Sequence, residues 1–348
     1  MPPLVSFAPC ARHSLLLFTA CAVALPTMAQ SRHATKVVSY NPGPNAHPSF
    51  VNPTLFLGGP QGGGFSNGSL DVVALGVDGE LTVGFDVTIV DGPGADFTVS
   101  ENGFVFGGGV FAEVAFVEVS TDGMTFARFP TRYGGPVGPL PAFGSSPMGT
   151  FGGLCGGLPG IANVNTNTID PFDPVESGGE AFDLAELAGD PLVTAGVVDL
   201  GAIHYVRVLD VPEGVYTDSF GNLIWDHGGP TGSADVDAVS VINHAGNVTA
   251  HQPIADFRVD PSGFVELRLA DPDGIADLDL STLRASIDLQ PSSFGAIRPL
   301  FRLVQRTPQG VLLRSIAPLV GSGVFQVLGI SIRDHSGQFS GDQVILPG

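Results

Sequence analysis

Leu81, Val83, Phe85, Val87 and Ile89 alternate with Thr82, Gly84, Asp86 and Thr88. That is the two-residue period of a strand with one buried face, because successive side chains of extended backbone point to opposite sides. The alternation returns at Val265, Leu267 and Leu269, at Leu283, Ala285, Ile287 and Leu289, and at Leu328, Ile330 and Ile332. Long helical patterns are missing. Glycine (48) and proline (29) are abundant, and they punctuate as turns at Gly92-Pro93-Gly94, Asp122-Gly123 and Gly228-Gly229-Pro230. Short alternating strands between such turns predict an all-β chain built from sandwiches. Residues 110–119 are apolar on both faces except at Glu113 and Glu118, which predicts one central strand covered on both sides.

Residues from about 134 to 200 break this rhythm. They hold one possible short helix, at 180–187, and apolar anchors at Phe143, Phe151, Ile161, Phe172 and Phe182. Long loops in compact domains are usually functional or disordered, and these anchors predict an excursion that packs down. A first domain over 30–246, with its insertion at about 134–200, ends near Asn243-His244-Ala245-Gly246. His251-Gln252-Pro253 reads as a linker, and a second, smaller β domain fills 253–348.

The first 29 residues read as a secretory leader. Arg12 and His13 precede the apolar run from Leu15 to Leu25, and Thr27-Met28-Ala29 supplies small cleavage residues. A second reading takes Phe18-Thr19-Ala20-Cys21 as a lipoprotein signal. No later stretch is long and apolar enough to span a bilayer, so the expectation is an exported protein, extracellular, periplasmic or on the cell surface. The net charge is −20, and loss of Arg12 with the leader makes it more negative. Such a surface excludes nucleic acid and anionic lipid as partners, since both need clustered Lys and Arg. It also offers oxygen ligands to hard cations such as calcium, or serves solubility alone. Of the three cysteines, Cys10 and Cys21 lie in the leader. Cys155 then has no partner for an internal disulfide and reads as a small buried thiol.

Three pieces in order carry a family resemblance: Val119-Ser120-Thr121-Asp122-Gly123-Met124-Thr125-Phe126, then Tyr205-Val206-Arg207, then Asp235-Val236-Asp237-Ala238-Val239. They resemble the hairpin, the "Y-V-R" strand and the acidic-apolar closing strand of galactose-binding-domain-like jelly rolls of the discoidin and carbohydrate-binding type. Asp271-Pro272-Asp273-Gly274 and Ile330-Ser331-Ile332-Arg333-Asp334-His335-Ser336-Gly337 resemble bacterial Ig-like modules, with Gln338 where those usually carry Asn. Together with Asp91-Gly92-Pro93-Gly94-Ala95-Asp96 and Gly179-Glu180-Ala181-Phe182, the chain resembles exported bacterial cell-surface proteins. The resemblance implies a jelly-roll sandwich followed by an Ig-like sandwich. It also implies non-catalytic binding or surface attachment, directed to a glycan or cell-surface polymer.

Asp235 and Asp237, two residues apart on a strand, place two carboxylates on one face, where they can share a calcium ion. In the jelly rolls a structural calcium lies where the closing strand meets the loop after the first strand, which here contains Asn45. The competing reading makes Asp235 and Asp237 rim residues that discourage edge pairing. Trp225, Tyr216 and Phe220 are the aromatics expected to stack on a ligand, with core packing of Trp225 as the alternative. Asp170, Asp173 and Asp183 form a second acidic group whose plainer reading is turn initiation, with a cation site joining Asp170, Asp173 and Glu101 as the weaker one. Asp271, Asp273, Asp277 and Asp279 fail the EF-hand pattern, since Ile275 stands at the fifth position and Thr282 at the twelfth; the segment reads as a β-turn. The chain has no G-x-S-x-G and no H-E-x-x-H, and its histidines show no metal-ligand spacing. The reading is therefore not an enzyme. A structural matrix or envelope protein is the alternative, and an exported hydrolase a further one.

Overall fold

The computed structural model describes residues 30–227, 232–321 and 326–346. The leader, with Cys10 and Cys21, lies outside them, as does the turn at Gly228-Gly229-Pro230. Ser31–Gly348 forms one compact unit, and its sheets are antiparallel throughout. One sheet runs in the order Lys36–Asn41, Glu80–Ile89, Ile203–Asp210, Ala115–Ser120 and Leu154–Cys155, with Ala127–Arg128 also on the Ala115–Ser120 strand. The opposing sheet runs Glu180–Phe182, Phe97–Glu101, Asp235–Val241 and Val73–Ala74.

Register explains the first core. Val206 stands between Val83 and Val119, and Val208 between Leu81 and Val117. Across the sandwich, Val99 pairs with Val239 and Phe97 with Val241. All ten are buried in one cluster, and each such side chain contributes about 1.5–3 kcal/mol on burial. Glu118 is buried in the same sheet but neutralised: Arg128 Nε donates to it at 2.8 Å and Arg207 Nε, from the "Y-V-R" strand, at 2.6 Å. The Asp122 carboxylate holds the hairpin turn, accepting from the Met124 and Thr125 amides at 2.8 Å each.

The expected central strand at 110–119 is two strands. Gly109–Phe111 pairs in a small hairpin with Phe104–Phe106, and Ala115–Ser120 enters the main sheet. Residues 112–114 turn between them, because Ala112 and Val114 give their carbonyls to His227 and Val211 rather than to a neighbouring strand. The segment expected as a helix at 180–187 is a strand, Glu180–Phe182, and then a 3-10 turn, Leu184–Leu187, capped by Asp183 at 2.8 Å. The excursion packs down through Phe151 and Leu154, which join Tyr133 and Phe116 in a second cluster on the outer face of the first sheet, while Phe143, expected as an anchor, is 83% exposed.

Residues 254–346 form a second pair of sheets. One runs Ile254–Val259, Val265–Ala270, Gly310–Ser315 and Phe301–Arg306, and the other Gln290–Ser293, Leu278–Ile287, Gln326–Asp334 and Phe339–Leu346. The excursion of the first sandwich and its turn at 91–96 seat the second. Asp173 accepts from Ser331 Oγ at 2.9 Å, Ala181 N donates to Gln343 Oε1 at 3.1 Å, and Ala95 N donates to Gly341 O at 2.9 Å. The stretch read as a linker is bound into this seam. Gln252 is buried and donates to Asn243 Oδ1 at 2.9 Å and Phe339 O at 2.7 Å. No helix among the described residues is long and apolar enough to cross a membrane.

Candidate functional site

One end of the first sandwich gathers carboxylates. Glu101 ends its strand, Asp235 begins the adjacent one, Asp210 ends a strand of the facing sheet, and Glu113 stands in the break at 112–114. Antiparallel pairing brings these strand ends to one place. Glu101 Oε1 accepts from Asp235 N at 2.9 Å, while its other oxygen is buried with no hydrogen-bond partner. Burial, then Glu113 and Asp235, push the Glu101 carboxyl well above the usual range. Burial, then Asp235, raise Glu113 to about 8. Asp210 accepts from Ala234 N and Asp78 N at 2.9 Å each, yet burial lifts it to about 7. Whereas Glu118 has two arginines, these groups are like charges in a low dielectric, which raises the free energy of their ionised forms.

The structure separates the residues expected to hold calcium. A bulge between Val236 and Ala238 falls at Asp237 and breaks the alternation that would have kept it beside Asp235. The Asp237 carboxylate instead accepts from Gln61 N at 3.0 and 3.2 Å. Asp235 stays at the acidic end, where His47 moderates the rise of its pKa to about 6 that burial causes. Asn45 is exposed at the tip of the first loop, with φ +66°. Glu101 offers an orphaned, buried hard oxygen here, but Glu101, Glu113 and Asp235 are not among the carboxylate groups of the described residues that lie close enough together to share one ion. Glu101 and Glu113 were not singled out together from the sequence, though their shared apolar surroundings in two strand patterns were the available signal.

The acidic group of the excursion serves turns and the seam. Asp170 and Asp173 accept from Phe172 N and Val175 N at 3.0 Å each, and Asp170 pairs with Arg333 at 3.0 Å. Asp183 approaches Asp91 and Asp96, but buried Asp96 is already satisfied by Leu184 N at 2.7 Å and by Gly92 N and Asn243 Nδ2 at 2.9 Å. Cys155 is fully buried, and burial, then Glu180 and Glu101, push its thiol up, the opposite of activation. His227 Nε2 lies 2.7 Å from Ser146 Oγ, a nucleophile–base spacing. Both residues are buried, out of reach of a substrate.

The three aromatics do not form one platform. Trp225 and Tyr216 are partly buried against the outer-face cluster, Tyr216 edge-on to Phe116 and donating to Asp78 at 2.6 Å. Phe220 alone is open, 65% exposed, with the Arg132 guanidinium 4.7 Å from its centroid. It borders a groove of about 280 Å³ at the seam of the two sandwiches, with Arg132, Thr131 and Glu186 on its walls. Gly153 in its lining has φ +68°, and a Cβ there would lie 2.1 Å from Pro130 O. A second cavity, of about 300 Å³, lies between the sheets of the second sandwich and is lined by Phe257, Leu267, Ile297, Phe301, Leu328 and Ile330 among others. Its walls are mostly carbon, unsuited to a hydroxyl-rich ligand. No protein-family model matches this chain, and no curated protein matches it.

Proposed function

We propose that this is an exported, non-catalytic binding or surface-attachment protein of the cell-surface kind, taking a glycan or similar hydroxyl-rich polymer in the Phe220 groove. A calcium ion at the orphaned, buried Glu101 oxygen braces the first sandwich. The observation that carries the binding role is the groove itself. An exposed ring, faced on one side by Arg132, stands over a glycine-rich seam with charged hydrogen-bonding groups. Clefts between packed modules are a common place for ligands, and an aromatic face beside polar groups suits a sugar ring. Phe220→Ala should abolish retention on a glycan array while leaving the unfolding midpoint unchanged, since the ring is mostly in solvent. Retention of no glycan by the wild type would favour a matrix role, and equal retention by the variant would move binding elsewhere.

The calcium part has its own test. An ion that binds only the folded state stabilises it by about 2.7 kcal/mol at one hundred times its dissociation constant. Glu101→Gln keeps an acceptor for Asp235 N but removes the charge, and should lose that increment in thermal melts with calcium against chelator. A variant with the full wild-type response would remove the ion from this end.

A further inference from the structure

The segment that fails the EF-hand pattern makes its β-turn, with Gly274 N donating to Asp271 O at 3.0 Å. The turn also does something its local sequence does not display. Asp271 and Asp277 come from one loop and Asp334 from the end of the Gln326–Asp334 strand, and each offers a carboxylate oxygen within 4.8 Å of the other two. Asp271 is 0% exposed and Asp334 3%. One oxygen of each is used: Asp271 Oδ1 accepts from Asp273 N at 2.8 Å, and Asp334 Oδ1 from Ser336 Oγ and Gln338 N at 2.8 Å each. The second oxygen of each, Oδ2, is buried with no hydrogen-bond partner. Leaving even one buried acceptor unsatisfied costs about 1–3 kcal/mol, and more when it is charged.

Among the described residues no arginine or lysine pairs with these three carboxylates, and His251, which also feels Asp271, is bound to Asp273. Beyond burial, the charges acting on Asp271 are Asp277, Asp334 and Asp273, all of one sign. The basic groups nearby are engaged elsewhere, His251 with Asp273 and Arg333 with Asp170. The backbone is held for the purpose by Asp271 N to Gln309 O at 2.7 Å, His335 N to Asp277 O at 2.8 Å and Asp334 N to Gln338 O at 3.0 Å.

We infer that Asp271, Asp277 and Asp334 form a site for one hard divalent cation, calcium by preference, that fastens the second sandwich to its connector. All three donors are oxygens, which selects against zinc and copper, and irregular loops suit calcium's flexible coordination better than magnesium's octahedron. Half-buried Asp277 leaves the way in. The same loops grip the connector: Asp273 pairs with His251 at 2.8 Å, and Thr249 hydrogen-bonds Gln338. An ion there ties turn, strand end and connector together.

The test is equilibrium dialysis of the chelator-stripped full chain against radioactive calcium. Asp334→Asn keeps the acceptor for Ser336 and Gln338 and should bind one equivalent less than wild type, or bind it about tenfold or more weakly. Glu101→Gln reports the separate ion of the first sandwich, so the two sites fail independently. Near-UV circular dichroism checks folding; if Asp334→Asn is not native-like, Asp277→Asn at the half-exposed position carries the same test. A folded variant with wild-type stoichiometry and affinity overturns the site, as does a wild-type protein whose full calcium count is lost on Glu101→Gln alone.

Discussion

Replacing Trp225 by alanine is expected to destabilise the folded protein by about 3–5 kcal/mol, toward the lower end because the indole is only partly buried. The ring packs with Val211, Ile224, Phe116 and Tyr133 on the outer face of the first sheet. It also lies flat enough on the chain that a Cβ at Gly214 would sit 2.7 Å from its Cζ3. Its Nε1 is buried without a partner, so the indole contributes by filling volume rather than by hydrogen bonding. Trp225→Phe, which keeps most of that volume and removes the orphaned N–H, should therefore cost much less than alanine. Urea unfolding midpoints for the three proteins give the comparison. If alanine leaves the midpoint unmoved, Trp225 is not part of the core, and its role as a ligand platform returns. The contrast with Phe220 is the point: two aromatics of one loop, one expected to change stability and the other binding.

That division was half legible in the sequence. The loop 216–225 could be read as aromatic, but which ring turns inward depends on the excursion at 134–200, whose Phe151 and Leu154 build the surface that receives Trp225. Strands fared better. The alternating runs at 81–89, 265–269 and 328–332 all lie in strands, because alternation reports burial of one face and needs no partner. The run at 110–119 misled because an apolar stretch looks the same whether it is one strand or two; the break is set by carbonyls taken by Val211 and His227. Asp235 and Asp237 show the same limit. Their spacing is right for one face, and a bulge against the Glu101 strand, created by the partner and invisible locally, sends Asp237 to Gln61. The trio of Asp271, Asp277 and Asp334 was out of reach for a related reason: two members are close in sequence, and the third arrives only through pairing of the Leu278–Ile287 and Gln326–Asp334 strands.

In chelator, stability is expected to fall as pH rises from about 5 to 8, by several kcal/mol in total, against the usual behaviour of an acidic protein. Glu180, Asp237 and Asp173 are buried carboxyls whose folded-state values burial lifts to about 8, about 7 and about 6, from ordinary values of 4.5, 3.8 and 3.8. A raised value means that the folded state holds its proton more tightly than the unfolded chain. The resulting stabilisation is complete below about pH 4, where both states are protonated. It is lost progressively as pH climbs from about 4 to the folded values, and is gone by about pH 8, because the unfolded chain ionises in water while the folded state must keep its proton or bury the charge. Each unit of separation corresponds to about 1.4 kcal/mol. Asp237→Asn isolates one contribution: the amide oxygen still accepts from Gln61 N but carries no charge beside Asp71. The variant should come nearest to wild type at about pH 4, exceed it at pH 8 and show a flatter profile. Urea midpoints across this range in chelator decide the matter. A profile that is flat or rises from pH 5 to 8 would mean that these carboxyls keep ordinary values in the folded protein, through solvent or counter-ions reaching them.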